Sequence, residues 1–575
     1  LDADFLRVHR HTGYVTTFER GPGGHLESYT DELLSIRDDA PGKRLYLTDA
    51  DGYEEEYHRL QSTLRTITSP DGQMISFTGS GLGNDSATDE AGRTLSWSYD
   101  AQNRLSSMTD PAGNVTSYEY DSSDRLITVV YPDDTPGTTV DNPRRSYHYE
   151  NTSFPNALTG ITAERGVRFA TWTYDSQGRA TSSSHAGGAD TVTLAYNTDG
   201  TVTQTNALGK QSTLHFQEIN GLRRITQVDG HATALCGAST KAMSYDANGY
   251  LASRTDENGN VTHYGYNARG LLETLTEAVG TPEQRTTTTT WHPDFRVPTQ
   301  IVRPGQTITL TYDTAGRLLT RTVTDTQTQT VPYSTNGNTR TTTWTYDADG
   351  LVATIDGPRT GVSDVTTFTY DANLDLLRVT NALGHVMEIT ARDARGLPTN
   401  MLDENGVETE LAYDARGRLL TRTIKHLSGD AVTTFGYDPV GELTSITLPA
   451  GEVLTYEYDD ARRLTAVENA LGERIEYTLD AAGNRLSDSI EDPFGVVQRT
   501  QTRVFDELSR LIEVIGANGQ TVDYGYDLAG NLVSTVDGES NLTTQAFDAL
   551  NRLITVTDAL SNTASYVHDD RDNLL

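Results

Sequence analysis

The sequence predicts an all-β protein, a long antiparallel sheet built from hairpin repeats of about 21 residues. Three observations predict it. An aromatic residue, Asp, a short turn and Gly-Arg-Leu recur along the chain, as in Tyr312-Asp313-Thr-Ala-Gly316-Arg317-Leu318. Successive copies often lie 21 residues apart. The stretches between them are rich in Thr, Val, Tyr and Leu, as strands are, and helical signals are nearly absent.

We call this phrase the Tyr-Asp signature. Nineteen copies fit between Tyr99 and His568, counting weaker ones at Tyr196, Trp291, Arg392 and Leu479. A fixed period of this kind identifies a repeat architecture, and it predicts that the signature residues are mainly structural. The signature residues are Tyr99, Asp100, Arg104, Tyr120, Asp121, Arg125, Tyr174, Asp175, Arg179, Tyr245, Asp246, Tyr312, Asp313, Gly316, Arg317, Tyr346, Asp347, Tyr370, Asp371, Tyr413, Asp414, Gly417, Arg418, Tyr437, Asp438, Tyr458, Asp459, Tyr526 and Asp527.

A second turn signal lies half-way between signatures, and we call it the companion turn. It begins with Asp or Asn and has Gly three residues later. Asp and Asn close such turns through their side chains, and Gly takes the positive-φ position. Each repeat therefore reads strand, turn, strand, turn. Clear companion turns are Asp110–Gly113, Asp256–Gly259, Asn381–Gly384 and Asn469–Gly472.

The number of repeats predicts that the sheet winds on itself. Two strands per copy at ~4.8 Å spacing would make a ribbon roughly 180 Å wide. Twisted sheets rarely exceed about ten strands without curling, and a long open edge invites aggregation. A continuous spiral of hairpins satisfies both constraints. The alternative is a β-propeller, but that would need about nine or ten blades, beyond the usual four to eight.

The signature divides the chain at about residue 90. Residues 1–90 are predicted to be divergent leading repeats, with decayed phrases at 48–52 and 69–72, and residues 91–575 to be the main repeat region. Tyr131–Thr138 and Thr286–Thr290 interrupt the pattern and are predicted to be loops or lengthened hairpins. The last copy breaks off soon after His568-Asp569, so we expect the chain to be a piece of a longer protein.

The composition disfavours several functions. A net charge of −35 and a pI near 4.6 argue against nucleic-acid and anionic-membrane partners. The single cysteine, Cys236, excludes an internal disulfide bond, and no apolar run approaches the ~18 residues of a membrane span. Only four of the 45 basic residues are Lys. Because Arg pairs well with carboxylates, we predict that each signature Asp pairs with the Arg four positions later.

The repeated acids and tyrosines also have functional alternatives. General acid catalysis would require two aspartates that converge with separated pKa values, whereas one Asp per turn predicts a hairpin cap. The tyrosines predict aromatic ladders that stabilise the sheet through cross-strand pairs, and the alternative is a sugar-stacking surface. The ladder partners two residues earlier are Tyr118, Tyr264, Tyr456 and Tyr524.

Other motifs are weak. Thr48–Glu56 resembles a calcium loop, but its Gly falls at the fourth position and the terminal Glu is missing, which leaves only weak cation binding as an alternative. Gly79–Gly83 lacks nucleotide-binding spacing and is predicted to be a loop, and the only close histidine pair is His9 with His11. We therefore predict no catalytic residue, no metal site, no cofactor and no enzymatic activity.

The signature at a 21-residue pitch, with its companion turn, resembles the RHS/YD-repeat proteins. That family includes bacterial polymorphic toxins, Tc toxin subunits and teneurins. The resemblance implies a sheet that spirals into a hollow shell, a β-cocoon, around a C-terminal toxin delivered from the bacterium, often by a type VI secretion machine. In that family a core-associated segment of Asp-Pro-x-Gly character follows the shell and cuts the toxin free. This sequence stops in an ordinary repeat, so we expect it to contain neither that segment nor a toxin domain.

The resemblance thus implies the structural encapsulation shell of a secreted bacterial toxin used in interbacterial competition. Its partners would be the enclosed toxin domain of the same full-length polypeptide and a secretion-machine spike protein or chaperone, with neither nucleic acid nor membrane contacted by this segment. The sequence itself carries no targeting signal. The alternative hypothesis is an extracellular module that binds glycans or a receptor through the tyrosine ladders.

Overall fold

Strands make up almost all of the regular structure. The computed structural model describes residues 5–9, 15–20, 26–28, 35–39, 44–48, 53–58, 63–69, 72–79, 85–133, 141–328 and 334–575. Within these ranges the one helical element is a single 3₁₀ turn, Ala186–Gly188. No helix in the described ranges is long and apolar enough to cross a membrane.

The strands are numbered in chain order. The first seventeen are β1 (Phe5–His9), β2 (Val15–Arg20), β3 (Leu26–Ser28), β4 (Ser35–Asp39), β5 (Arg44–Thr48), β6 (Glu54–His58), β7 (Thr63–Thr68), β8 (Met74–Thr78), β9 (Ser86–Thr88), β10 (Thr94–Tyr99), β11 (Leu105–Thr109), β12 (Val115–Tyr120), β13 (Leu126–Val130), β14 (Arg144–His148), β15 (Gly160–Thr162), β16 (Arg168–Tyr174) and β17 (Ala180–His185).

The middle strands are β18 (Val192–Tyr196), β19 (Val202–Thr205), β20 (Gln211–Ile219), β21 (Leu222–Gly230), β22 (Ser239–Tyr245), β23 (Leu251–Thr255), β24 (Val261–Tyr266), β25 (Leu272–Glu277), β26 (Arg285–Trp291), β27 (Pro298–Arg303), β28 (Gln306–Tyr312), β29 (Leu318–Asp325), β30 (Thr339–Tyr346), β31 (Val352–Asp356), β32 (Val365–Tyr370), β33 (Leu376–Thr380) and β34 (Val386–Arg392).

The remaining strands are β35 (Pro398–Leu402), β36 (Glu408–Tyr413), β37 (Leu419–Ile424), β38 (Ala431–Tyr437), β39 (Leu443–Thr447), β40 (Val453–Tyr458), β41 (Leu464–Glu468), β42 (Arg474–Leu479), β43 (Arg485–Glu491), β44 (Val497–Phe505), β45 (Leu511–Ile515), β46 (Thr521–Tyr526), β47 (Leu532–Val536), β48 (Leu542–Phe547), β49 (Leu553–Thr557) and β50 (Thr563–Ser565).

Residue contacts divide the chain into two compact units. Unit 1 comprises Leu1–Val115, Tyr266–Glu273 and Thr288–Thr409. Unit 2 comprises Thr116–Gly265, Thr274–Thr287 and Glu410–Leu575. The boundary expected near residue 90 stays a prediction.

Unit 2 is an antiparallel meander. Each strand from β12 to β24 pairs with the next one along the chain. The same holds from β37 to β50. These runs are much longer than a four-stranded propeller blade. The predicted all-β sheet of hairpin repeats is confirmed.

Unit 1 has the same organisation. β4 to β11 pair in succession, and so do β27 to β35. β1, β2 and β3 form a separate three-stranded sheet.

The signature tyrosine lies at a bulge. In the β28–β29 hairpin, Tyr312 is opposite Leu318, and the register shifts between Thr311 and Tyr312. The turn that follows needs a left-handed residue, which is Gly316 with φ +82°. Bulges strengthen strand twist, so a bulge at a signature increases the local twist of the sheet.

The five threonines Thr286–Thr290 do not form a loop. They lie within β26, which pairs with β27. Thr is β-branched and is favoured on a pleated surface, so the lengthened-hairpin interpretation is the right one. The other predicted interruption, Tyr131–Thr138, lies largely outside the described residues.

Few side chains are fully buried. Leu47 and Ala466 have no exposed surface, but most strand residues in the described ranges are half-buried. The described strands are therefore stabilised by their hairpins and turn contacts more than by a thick apolar core.

Candidate functional site: the repeat turns and the seam between them

Each Tyr-Asp turn is closed by its aspartate. In the Asp313 turn, Oδ1 accepts the backbone N–H groups of Ala315 and Arg317 at 2.9 Å each. Oδ2 accepts Arg317 Nε–H at 2.7 Å. The Asp313 N–H donates to the Arg317 carbonyl at 3.0 Å. One carboxylate thus satisfies two turn amides and one guanidinium, which fixes a five-residue hairpin loop.

The residue four positions after Asp determines what the carboxylate binds. Where it is Arg, an ion pair forms within the turn: Asp89–Arg93, Asp100–Arg104, Asp121–Arg125, Asp175–Arg179, Asp313–Arg317, Asp414–Arg418, Asp459–Arg463, Asp506–Arg510 and Asp548–Arg552. Where it is Asn, its amide donates instead, as Asn531 does to Asp527 at 2.8 Å. In the turns of Asp246, Asp347 and Asp371 the carboxylate caps backbone amides. Asp438 caps the Glu442 amide and also lies 3.4 Å from Arg165 Nη1.

These contacts favour the ionised form of Asp100, Asp121 and Asp506. Backbone and side-chain hydrogen bonds from Arg104 lower the pKa of Asp100 below its ordinary value. The Arg125 side chain does the same for the pKa of Asp121. Burial opposes the shift at Asp506, but the bonds from Arg510 still lower its pKa. The described signature aspartates are separate caps, each in its own turn, and they do not form the raised-and-lowered pair of an acid–base site.

Most signature tyrosines link their repeat to the preceding one by a hydrogen bond. The Tyr437 hydroxyl donates to the Leu419 carbonyl at 3.0 Å, and Leu419 directly follows the preceding Arg418. The other tyrosines that donate to a carbonyl of the preceding repeat are Tyr174, Tyr245, Tyr312, Tyr346, Tyr370, Tyr458 and Tyr526. Tyr99 instead accepts from Trp97 Nε1 at 3.0 Å, and Tyr120 and Tyr413 are half-buried strand ends.

Three copies that lack the tyrosine keep a group at this position that can make the same bond. Trp291 Nε1 donates to the Leu272 carbonyl at 2.9 Å, and Arg392 Nη2 donates to the Leu376 carbonyl at 2.6 Å. His568 Nε2 lies 2.7 Å from the Leu553 carbonyl. The position therefore selects for an N–H or O–H group that reaches back one repeat, and this explains substitutions that the sequence alone presents as decay.

The signature arginine links two repeats as well. Arg510 Nε donates to Asp506 in its own turn at 2.6 Å, and Nη1 donates to the Asp527 carbonyl of the next turn at 3.0 Å. Its guanidinium lies 5.0 Å from the ring centre of Tyr526. Arg418 repeats these contacts, with the Asp438 carbonyl at 3.1 Å and the Tyr437 ring at 4.9 Å. A cation over the ring occupies a face that a stacked sugar would need.

Turns far apart in the sequence meet within unit 2. Turns alternate between the two edges of a meander, so Tyr-Asp turns define one edge, the Tyr-Asp edge, and companion turns define the other, the companion edge. The companion edge of residues 163–285 lies against the Tyr-Asp edge of residues 438–572, and we call this contact the unit 2 seam. Its contacts are Arg165 Nη2 to the Asp459 carbonyl (3.0 Å), Asp190 N–H to the Ala481 carbonyl (2.7 Å), Asn206 Nδ2 to the Glu507 carbonyl (2.7 Å), Asn258 Nδ2 to Asp527 Oδ2 (2.9 Å) and Arg285 Nη1 to Asp572 Oδ1 (2.8 Å).

Unit 1 contains a contact of the same kind. Arg93, in a companion turn, donates from Nη1 to Asp375 Oδ2 at 2.8 Å while its Nε bonds Asp89 at 2.6 Å. Asp375 stands where the signature usually has Arg, four positions after Asp371. An acid at that position cannot pair with its own turn Asp, and it binds an arginine from a distant turn instead.

Glu442 is the unit 2 counterpart. It stands four positions after Asp438, and it lies 3.3 Å from Arg165 and 3.9 Å from Arg462. Burial, with Asp438 as a further like charge, raises its pKa above the ordinary value. Sequence reasoning missed both Asp375 and Glu442 as contact residues, although their signal was present as an acid in the Arg position of a signature.

Glu164 is a buried charge of the seam. Its side chain has no exposed surface. Its carboxylate lies 2.9 Å from Arg145 Nη2, 3.5 Å from Arg462 Nη2 and 4.0 Å from Arg416 Nη2. Burial lowers the pKa of Arg416. One buried carboxylate therefore joins three arginines from three different hairpins, which no 21-residue pattern could indicate.

The raised pKa of Glu442 gives a pH prediction. A carboxyl group with a raised folded-state pKa stabilises the fold in its protonated form, and this contribution is lost as the pH rises through that pKa. Glu442→Gln should therefore leave the melting temperature unchanged or higher at pH 7.5, and its advantage over wild type should shrink as the pH falls towards 4. Calorimetry across this range measures it, with Glu539→Gln, an exposed turn acid, as control. A lower melting temperature for the variant at pH 7.5 would contradict the assignment.

The other sequence candidates do not form a site. Cys236 is buried, burial raises the pKa of its thiol, and its nearest cation is Arg510 Nη2 at 3.8 Å. In the ranges that the structure describes, no group of three or more His, Cys, Asp or Glu could hold a metal ion. Asp49, Asp51 and Gly52 of the calcium-like phrase, most of Gly79–Gly83, and His11 lie outside those ranges.

The repeat turns lie in segments that match a known family profile. A profile described as RHS Repeat matches residues 86–115, 99–136, 245–286, 392–425, 437–474 and 505–541. The chain contains RHS repeats. The matched segments coincide with Tyr-Asp turns that carry the contacts described above, and the resemblance proposed from the sequence is confirmed.

One solved structure shows the same fold, and a second is similar at a lower TM-score. The crystal structure of TcdB2-TccC3 is similar with a TM-score of 0.50 at 12% identity, over 100% of this chain and 36% of that one. The structure of the Photorhabdus luminescens Tc holotoxin pore with the mutation TccC3-D651A is similar with a TM-score of 0.45 at 12% identity, over 99% of this chain and 35% of that one. This chain thus spans about a third of the length of these two chains. No curated protein matches it.

Proposed function

We propose that these RHS repeats are the structural shell of a toxin, a container that encloses a toxic domain and does no chemistry itself. The observation that carries the proposal is the unit 2 seam, because turns up to 301 residues apart are joined by hydrogen bonds and ion pairs. Such contacts close the gap between two edges of a sheet, which is what a container wall requires. The fold likeness to TcdB2-TccC3 supports it.

The surface chemistry is consistent with this role. Strand residues are half-buried and rich in Thr, so neither face of the sheet needs a second apolar layer. The net charge of −35 keeps so large a surface soluble, and it would attract a basic cargo. The described carboxylates of the signatures are used as turn caps.

The finer parts of the proposal concern delivery. The enclosed partner would be a C-terminal toxic domain of the same full-length polypeptide, and the assembly would be secreted for competition between bacteria. The specific delivery route that we propose is type VI secretion. The protein would be an effector of that system, helped by a spike protein or chaperone.

Protection of the enclosed segment tests the shell. In the protein expressed from its complete gene, the polypeptide that follows the repeats should resist trypsin for as long as the seam is intact. Glu164→Ala, which removes the central carboxylate of the seam, should expose it, while Glu150→Ala, a side chain that is 59% exposed, should not. Mass spectrometry of timed digests would identify the cut sites. Equal cleavage of the following segment in wild type and both variants would overturn the shell proposal.

A further inference from the structure

One tetrapeptide occurs at three companion turns in two different situations. Asn-Ala-Leu-Gly stands at Asn206–Gly209, Asn381–Gly384 and Asn469–Gly472. The first copy is in the unit 2 seam. Its Asn206 Nδ2 donates to the Glu507 carbonyl at 2.7 Å, and Leu208 is half-buried. The docked form of this turn is therefore known from the molecule itself.

The other two copies face solvent. Leu383 is 81% exposed in unit 1, and Leu471 is 73% exposed in unit 2. The Asn469 amide, which matches Asn206, donates to Glu473 of its own turn at 2.7 Å. The same sequence thus half-buries its leucine where its turn meets a Tyr-Asp turn and exposes it elsewhere.

In unit 2 the exposed copy belongs to an apolar cluster. The next companion turn along the same edge carries Phe494, which is 91% exposed. The two turns touch, since a Cβ atom at Gly472 would lie 3.3 Å from Pro493 Cβ. Exposed apolar groups that lie together on a soluble protein mark a contact surface. We call Leu471, Pro493 and Phe494 the apolar tips.

The contacts of the unit 2 seam indicate that a Tyr-Asp turn is the surface that fits a companion turn. In two of these contacts the acceptor is the carbonyl of the residue just after the Asp of a Tyr-Asp-type turn, namely Ala481 and Glu507. The chain has further Tyr-Asp turns whose tips face solvent, such as the Asp175 turn with exposed Ser176 and Gln177. Both complementary edges are therefore present on the surface of one molecule.

We propose that the companion edge at Leu471 and Phe494 docks onto the Tyr-Asp edge of a second copy of this chain, with the hydrogen bond that Asn206 makes to a turn carbonyl within unit 2. The Asn469 amide turns from Glu473 to a carbonyl of the partner's turn, and the apolar tips are buried against that turn. Because the two edges differ, the contact is head-to-tail, and it extends to further copies instead of closing at a dimer.

Sedimentation velocity of the purified chain tests the proposal. The weight-average mass should rise with protein concentration, and it should rise further when salt screens the repulsion between copies of charge −35. Leu471→Glu with Phe494→Glu should shift the association to roughly tenfold or higher concentration. Leu471→Met with Phe494→Leu, which keeps the tips apolar, should associate as wild type does.

A matched control separates edge contact from added charge. Thr455→Glu with Thr544→Glu places two acids on exposed strand positions away from the turns, and it should leave association unchanged. A wild-type chain that stays monomeric at all concentrations and salt levels would overturn the proposal. So would a control variant that loses self-association as fully as the Leu471 and Phe494 double variant does. Binding of the monomer to phosphatidylcholine vesicles, lost in the Leu471 and Phe494 double variant, would assign the tips to lipid and also overturn it.

Discussion

Asp506→Ala should destabilise the β44–β45 hairpin by about 3–5 kcal/mol, as removal of one partner from a buried ion pair does. Asp506 is 1% exposed. It accepts the Leu508 and Arg510 backbone N–H groups at 2.9 Å each and Arg510 Nε at 2.6 Å. The alanine variant leaves two turn amides and one guanidinium without their acceptor. Because a repeat array opens locally, hydrogen exchange over residues 497–526 is the appropriate measurement.

Asp492→Ala is the control for this prediction. Asp492 caps the Phe494 and Val496 amides at 2.9 and 3.0 Å in the same way. Its turn is exposed, and it holds no arginine. The expected cost is about 1 kcal/mol or less, since water replaces the lost acceptor. Equal destabilisation by the two substitutions would show that burial and the Arg510 pair do not matter.

Glu164→Ala should also cost about 3–5 kcal/mol, but through tertiary contacts. The substitution leaves Arg145, Arg416 and Arg462 close together with their shared anion removed. Like charges then repel, and the companion edge at 163–167 should separate from the hairpins at 414–463. We expect a lower urea midpoint by circular dichroism, together with faster hydrogen exchange at both edges.

Glu150→Ala is a matched control for Glu164. Glu150 also pairs with an arginine, Arg168, at 2.9 Å, but its side chain is 59% exposed. Exposed pairs contribute about 0–1 kcal/mol, so the urea midpoint should hardly move. A loss at Glu150 as large as that at Glu164 would mean that the seam gives Glu164 no special role.

The local structure follows directly from the sequence. Asp313 and Gly316 alone specify a hairpin loop, because an Asp that caps two amides and a Gly with positive φ leave few other conformations. The pitch then predicts a continuous meander. The turn contacts repeat in nearly every signature because they involve residues at most four positions apart.

The long-range contacts do not follow from the sequence. The turn that meets Glu164 is determined by the accumulated twist of all the hairpins between them. A repeat pattern does not encode that accumulated twist, so it does not predict which turns meet. Asp375 and Glu442 come nearest to such a marker, since each replaces an Arg that its own turn would use. The sequence predicts the role of the tyrosine position only in part. Trp291, Arg392 and His568 share a hydrogen-bonding group with tyrosine but not its shape, so their common role is not evident from the sequence.

The central claim is that the signature carboxylates stabilise the hairpins of the sheet by binding their turn amides. Hydrogen exchange of the wild-type chain, read at single-residue resolution, tests it most directly. We expect the amides bound by these carboxylates, such as those of Ala315, Arg317, Leu508 and Arg510, to exchange as slowly as the amides of the adjoining strands. Exchange of these amides at the rate of an unstructured loop would contradict it.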